Sequence, residues 1–169
     1  MGEIFKKERD IMDRVDLQLK GVRGWLLLLC INLTVLDPSA ILINLFLITS
    51  TANPYFEKHP EFFRLMVTTG VFRIALLVFS VYAGLSLWKV VPGAVAIVRK
   101  YFFFVVLYSL LTVVLPTVLQ VPSHLANEMA GPNLANAGLT IVYVAVWYLY
   151  LKRSKRVRAT YVEDREVEA

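Results

Sequence analysis

WLLLLCINLTVLDPSAILINLFLITST, residues 25–51, is the stretch on which the fold turns, and within it Asp37 is the lone charged side chain. At 1.5 Å of rise per residue such a helix is about 40 Å long, against a bilayer hydrocarbon core of ~30 Å. It therefore reads as a membrane span whose excess length is absorbed by tilt or by a kink. Pro38 supplies a reason for a kink, because it removes the hydrogen bond to the carbonyl of Thr34.

Working outward, three more apolar segments read as spans: residues 65–88, 101–119 and a short one at 135–151. Between the third and fourth lies QVPSHLANEMAGPN (residues 120–133), whose prolines and Gly131 are expected to break any helix. Between the second and third, VVPGAVAIVRK (residues 90–100) is too short to hold a domain and reads as an interfacial segment. The predicted fold is thus all-α: a four-helix transmembrane bundle over residues 25–151, with an N-terminal amphipathic interfacial helix in residues 1–24. Within residues 3–20, Ile4, Ile11, Met12, Val15 and Leu19 recur at helical spacing, while Lys7, Asp10, Asp13 and Arg14 take the other side. Residues 152–169 read as a tail, first basic and then acidic.

Composition agrees. The apolar fraction is 57%, above the ordinary soluble range, and the 18% of charged residues cluster between the apolar runs instead of being spread along the chain. A net charge of +5 would raise the question of nucleic acid in a soluble protein. Here the basic residues flank apolar runs, so the lipid bilayer and its anionic headgroups are the expected partners and nucleic acid is not. Cys30 is the single cysteine, which excludes an internal disulfide and a CxxC or zinc site. The N-terminal stretch lacks a short apolar core before a small-residue cleavage site, so it is expected to be retained.

Orientation follows from the basic residues. Six lie in the N-terminal segment, three in residues 89–100 and six in the C-terminal tail, against only Lys58 and Arg64 in the other two loops. The positive-inside rule predicts that both termini are cytoplasmic. Trp25, Trp88 and Trp147 flank Arg23, Lys89 and Lys152, the pattern of an interfacial aromatic belt on the same side.

Two segments carry a family resemblance. GVRGWLLLL (residues 21–29), with Gly21, Gly24 and Trp25, and SKRVRATYV (residues 154–162), with Ser154, Lys155, Arg156, Val157 and Arg158, resemble the opening and ending of the bacterial domain-of-unknown-function family 2569. The resemblance implies a small four-helix protein of the bacterial inner membrane. It implies no reaction.

Asp37 and Arg73 are the ionisable residues inside predicted spans, and charges at such depth pair or serve function. Asp37 lies about 18 Å in from Trp25 and Arg73 about 12 Å in from Leu65 along ideal helices. These depths sum to ~30 Å, which places the two residues at one level on antiparallel neighbours. At 100° per residue, Thr34, Asp37 and Asn44 share a stripe of the first span, and Thr69, Arg73 and Ser80 share one on the second. The two stripes are expected to face each other as a polar seam, with the Arg73 guanidinium bonded to the Asp37 carboxylate and the Thr34 carbonyl. Such a seam either locks two helices together or lines a cavity for an ion, a proton or a small solute.

KRSKRVR (residues 152–158) sets Lys152, Arg153, Lys155, Arg156 and Arg158 directly after the last span, as a contact for anionic lipid or for a membrane protein partner. His59 and His124 fall in separate loops, a pattern without metal-ligand spacing, and no cofactor motif is present. No nucleophile, base and orienter occur as a set. The sequence therefore points to a non-enzymatic membrane component with a regulatory, accessory or interaction role. A small carrier built on Asp37 and Arg73, alone or as a homo-oligomer, is the alternative, and a lipid-acting enzyme comes third.

Overall fold

The computed structural model describes residues 21–52 and 60–161; the surface helix expected over residues 3–20, the loop carrying Glu57, Lys58 and His59, and the acidic end of the chain lie outside them. The first span begins with α1 (Trp25–Ile31), passes through a π-helical segment (Asn32–Leu36) and continues as α2 (Asp37–Ala52). Then follow α3 (Pro60–Trp88), α4 (Ala94–Val118), α5 (Ser123–Arg153) and the short α6 (Lys155–Tyr161), with no strand among the described residues.

Four stretches are long and apolar enough to cross a bilayer: Trp25–Ser50, Phe63–Trp88, Ala94–Val118 and Ser123–Arg153. Their outward faces are greasy throughout; Phe46 is 73% exposed and Leu139 71%. Water does not tolerate so continuous an apolar perimeter, whereas lipid tails do. The chain is a multi-pass membrane protein with the all-α four-helix architecture that its hydropathy predicts.

The last two helices are longer than the sequence predicts. Gly93, at φ +81°, closes the turn after α3, so α4 starts at Ala94 and takes Arg99 and Lys100 into its first two turns. Residues 123–133 are not a broken loop but the first turns of α5, with Pro132 inside the helix. A membrane helix tolerates proline where neighbours satisfy the freed backbone. Asn133 ties this stretch down, its Nδ2 donating to the Thr112 carbonyl of α4 at 3.1 Å.

Packing is unequal along the bundle. At the end that carries the basic residues, Leu26, Leu29 and Leu33 meet Leu87, Val98 and Phe102 in a fully buried core. Trp147 belongs to this core and is buried, so only Trp25 and Trp88 occupy the exposed positions of an aromatic belt. Its ring stands edge-on to Tyr150 and belongs to the same buried cluster as Val157 of α6. At the opposite end the buried cluster shrinks to Leu65, Leu115 and Val121. Between the two clusters the helices separate around a cavity.

The residues around the start of α1 meet α6 at the basic end. Gly24 precedes α1 at φ +61°, a left-handed conformation that favours glycine, and its carbonyl accepts the Leu28 N–H at 3.1 Å. The N–H of Gly21 donates to Thr160 Oγ1 at 3.3 Å across 139 residues of sequence. Ser154 caps α6 by accepting the Val157 N–H at 3.4 Å, and the Tyr161 hydroxyl donates to the Leu87 carbonyl at 2.8 Å. Burial pushes the Tyr161 hydroxyl up, so it stays a donor at neutral pH. Residues 155–161, expected as part of a tail, are thus a packed helix with Val157, Ala159 and Thr160 buried. The two motifs that carry the family resemblance form one contact.

Candidate functional site

The site grows from the π-helical segment. Within it hydrogen bonds run from residue i+5 to residue i, and the N–H of Asp37 reaches the Asn32 carbonyl. That shift leaves the Leu33 carbonyl without a helical partner: four residues on, Asp37 is committed to Asn32, and five residues on, Pro38 has no N–H. Ser80 of α3 fills the vacancy, its hydroxyl donating to the Leu33 carbonyl at 2.8 Å in a fully buried contact. One turn later Gly84 lets α3 approach closely, because a Cβ there would stand 2.5 Å from Thr34 Cγ2 and 3.1 Å from the Thr34 nitrogen. Pro38 therefore acts through the Leu33 carbonyl rather than that of Thr34, and its partner is a serine rather than Arg73.

The wider turn also aligns side chains. Five residues apart on an α-helix are about 140° out of phase, whereas one π turn brings them onto one face. Asn32 and Asp37 accordingly meet, Nδ2 donating to Oδ1 at 3.3 Å. Two phenols complete the shell of Asp37: Tyr101 of α4 donates to Oδ2 at 3.2 Å and Tyr143 of α5 lies 3.1 Å from the same oxygen. Tyr143 also accepts a short hydrogen bond from Asn32. Among the described residues every donor to the carboxylate is neutral.

Arg73 is held separately. Its Nε donates to the Tyr108 hydroxyl at 2.9 Å and its Nη1 to Asn44 Oδ1 at 2.8 Å. The direct bond to Asp37 expected from helical phase is not formed, because Asn44 and Tyr108 take the near edge of the guanidinium while phenols and an amide surround the carboxylate. Two of the five donors of Arg73 are spent on neutral oxygens, and among the described residues no carboxylate bonds to it.

Both charges face the same space. A cavity of about 380 Å³ in the middle of the bundle is lined by Asp37 and Asn44 of the first span, Arg73 of α3, Tyr101, Tyr108 and Ser109 of α4, and Asn136, Thr140 and Tyr143 of α5. A smaller void of about 100 Å³ lies toward the loop end and also touches Arg73, Thr69, Thr112 and Asn133. The buried core closes the cavity off from the basic end. Its size falls at the lower edge of small-ligand sites, and its polar groups converge from all four spans.

The structure divides the predicted seam. Asp37, Arg73 and Asn44 line the cavity, Thr69 lines the smaller void, and Ser80 and Thr34 belong to the helix contact. Both threonines turn their hydroxyls back to their own helices, Thr34 to the Cys30 carbonyl at 2.7 Å and Thr69 to that of Leu65 at 2.8 Å. Seven polar members escaped the sequence reading: Asn32, Tyr101, Tyr108, Ser109, Asn136, Thr140 and Tyr143. A signal existed, since Asn136, Thr140 and Tyr143 step by four and three along the last span, and Tyr101 and Tyr108 by seven along the third. Among the basic residues after the last span, Lys152, Arg153, Lys155 and Arg158 are exposed and Arg156 is half-buried.

The sequence profile of a family described as "Protein of unknown function (DUF2569)" matches residues 19–162, from just before the Gly21–Trp25 motif to the end of SKRVRATYV. No curated protein and no solved structure matches the chain.

Proposed function

We propose that this chain, which belongs to the DUF2569 family, is a non-enzymatic component of the bacterial inner membrane that holds a small solute bearing an anionic group. In this reading both termini face the cytoplasm, as the distribution of basic residues predicts. The observation that carries the reading is Arg73: a guanidinium at mid-span, facing a cavity of about 380 Å³, to which no carboxylate bonds among the described residues. A charge at that depth costs roughly 2.5–3.5 kcal/mol to insert and is ordinarily paired or functional. Arginine presents a flat fork that suits carboxylate or phosphate oxygens. Asp37, across the same space, would favour a solute that also carries a hydrogen-bond donor or a positive group.

The experiment is a thermal-shift series on the purified protein in neutral detergent. Short mono- and dicarboxylates, α-amino acids and phosphate monoesters are added in turn to the wild type and to Arg73→Gln. At least one class is expected to raise the wild-type Tm by a few degrees and to leave Arg73→Gln unmoved. The reading fails if no class shifts the wild type, or if the variant responds equally.

A further inference from the structure

We infer that a second site, at the basic end of the bundle between α4, α5 and α6, binds the phosphate of an anionic phospholipid. It is separate from the mid-membrane cavity and does not depend on the solute reading. The cleft encloses about 420 Å³; Arg99 of α4, Lys152 of α5 and Arg158 of α6 stand around it, above apolar side chains that include Val95, Ala96 and Leu151. Among the described residues that line it, none is acidic.

Three features make this more than a charged surface. The cations come from three different helices and converge because α6 folds back onto the bundle; in a free tail Arg158 would have no fixed relation to Arg99. Two of them are positioned. The Arg99 guanidinium lies over the Tyr148 ring at 5.6 Å, and Arg158 Nη2 donates to the Lys152 carbonyl at 3.4 Å, its one hydrogen bond among the described residues. The depth is also right. Arg99 sits in the first two turns of α4 and Lys152 in the last turn of α5, which is the level of headgroups at the end of a span. A phosphate diester offers oxygens to the three cations, and its glycerol and first methylenes match the apolar floor, which a hydrated free anion would leave uncovered. Arg153 and Lys155, from the same basic run, take no part in the lining.

The test is native mass spectrometry of the full chain in neutral detergent, titrated with dioleoyl phosphatidylglycerol, with the matched phosphatidylcholine, and with phosphatidylglycerol in the presence of millimolar inorganic phosphate. One phosphatidylglycerol is expected to bind at least ~10-fold more tightly than phosphatidylcholine and to resist inorganic phosphate. Arg99→Gln/Arg158→Gln is expected to weaken it about 30-fold, and Arg153→Gln/Lys155→Gln, with the same change in charge, less than ~3-fold. Far-ultraviolet circular dichroism checks that each variant is folded. If the first double variant does not fold, Lys152→Gln, expected to weaken binding about 5-fold, reads the same site. Equal loss in the two double variants would mean diffuse attraction and overturn the site. Absence of lipid preference would also overturn it, and displacement by inorganic phosphate would make it a site for a soluble anion instead.

Discussion

Single atoms decide how the first two spans approach. Gly84 has no side chain because the Thr34 methyl group occupies the place a Cβ would take, 2.5 Å away. Gly84→Ala is expected to destabilise the protein by about 1–3 kcal/mol through overpacking, read as a lowered Tm in detergent. Thr34→Ser removes that methyl and keeps the hydroxyl, so it should recover part of the loss; the Thr34 nitrogen, 3.1 Å from the same point, would still be crowded. An unchanged Tm in Gly84→Ala would show that the helices are not seated on each other at this point. At this scale the sequence was only partly readable. Asp37 and Arg73 announced themselves because charge inside an apolar run is rare. Tyr101, Tyr108 and Tyr143 did not, because a tyrosine in a span is as much at home in lipid or in a core as in a polar shell. Which of these it occupies depends on neighbours from other helices.

At the scale of the element, the π-helical segment links Pro38 to both the packing and the site. It aligns Asn32 with Asp37, and it exposes the Leu33 carbonyl that Ser80 caps at 2.8 Å. Ser80→Ala should therefore cost about 1–2 kcal/mol in the native background. In Pro38→Ala, residue 38 regains an N–H that serves the same carbonyl, and the cost of Ser80→Ala should drop below ~0.5 kcal/mol. Equal costs in the two backgrounds would show that Ser80 and Pro38 act independently. The sequence marked Pro38 as a kink but could not show how the kink is resolved. A proline removes one donor, and whether the helix bends, unwinds or widens depends on what the next helix offers. Likewise Pro132 and Gly131 looked like breakers, yet the helix runs through them and is anchored on α4 by Asn133.

For the whole molecule, spacing and hydropathy carried most of the architecture. Four apolar runs joined by short links leave little choice but an up-and-down bundle in which neighbours in sequence pack together, as α3 does on α2, α4 on α3 and α5 on α4. The cavity was beyond reach, because it exists only where four spans fail to close against one another. The fold-back of α6 was hidden too, since KRSKRVR reads as a basic tail in contact with anionic lipid or a partner until Val157, Ala159 and Thr160 are seen buried. Orientation is testable with little background because Cys30, the only native cysteine, is buried. In intact spheroplasts a membrane-impermeant maleimide should label Gln120→Cys at the α4–α5 turn and spare Lys155→Cys; the reverse pattern would invert the topology. In the proposed reading Asp37 and Arg73 are two separate handles on one cavity and not a mutual lock. The most direct measurement is the thermodynamic cycle of Asp37→Asn, Arg73→Gln and the double variant, read as unfolding free energies in one detergent. With no shared hydrogen-bond partner among the described residues, the two substitutions should couple by about 1 kcal/mol or less. A double variant that recovers several kcal/mol lost by each single variant would show instead that the two charges are bonded to each other as a lock.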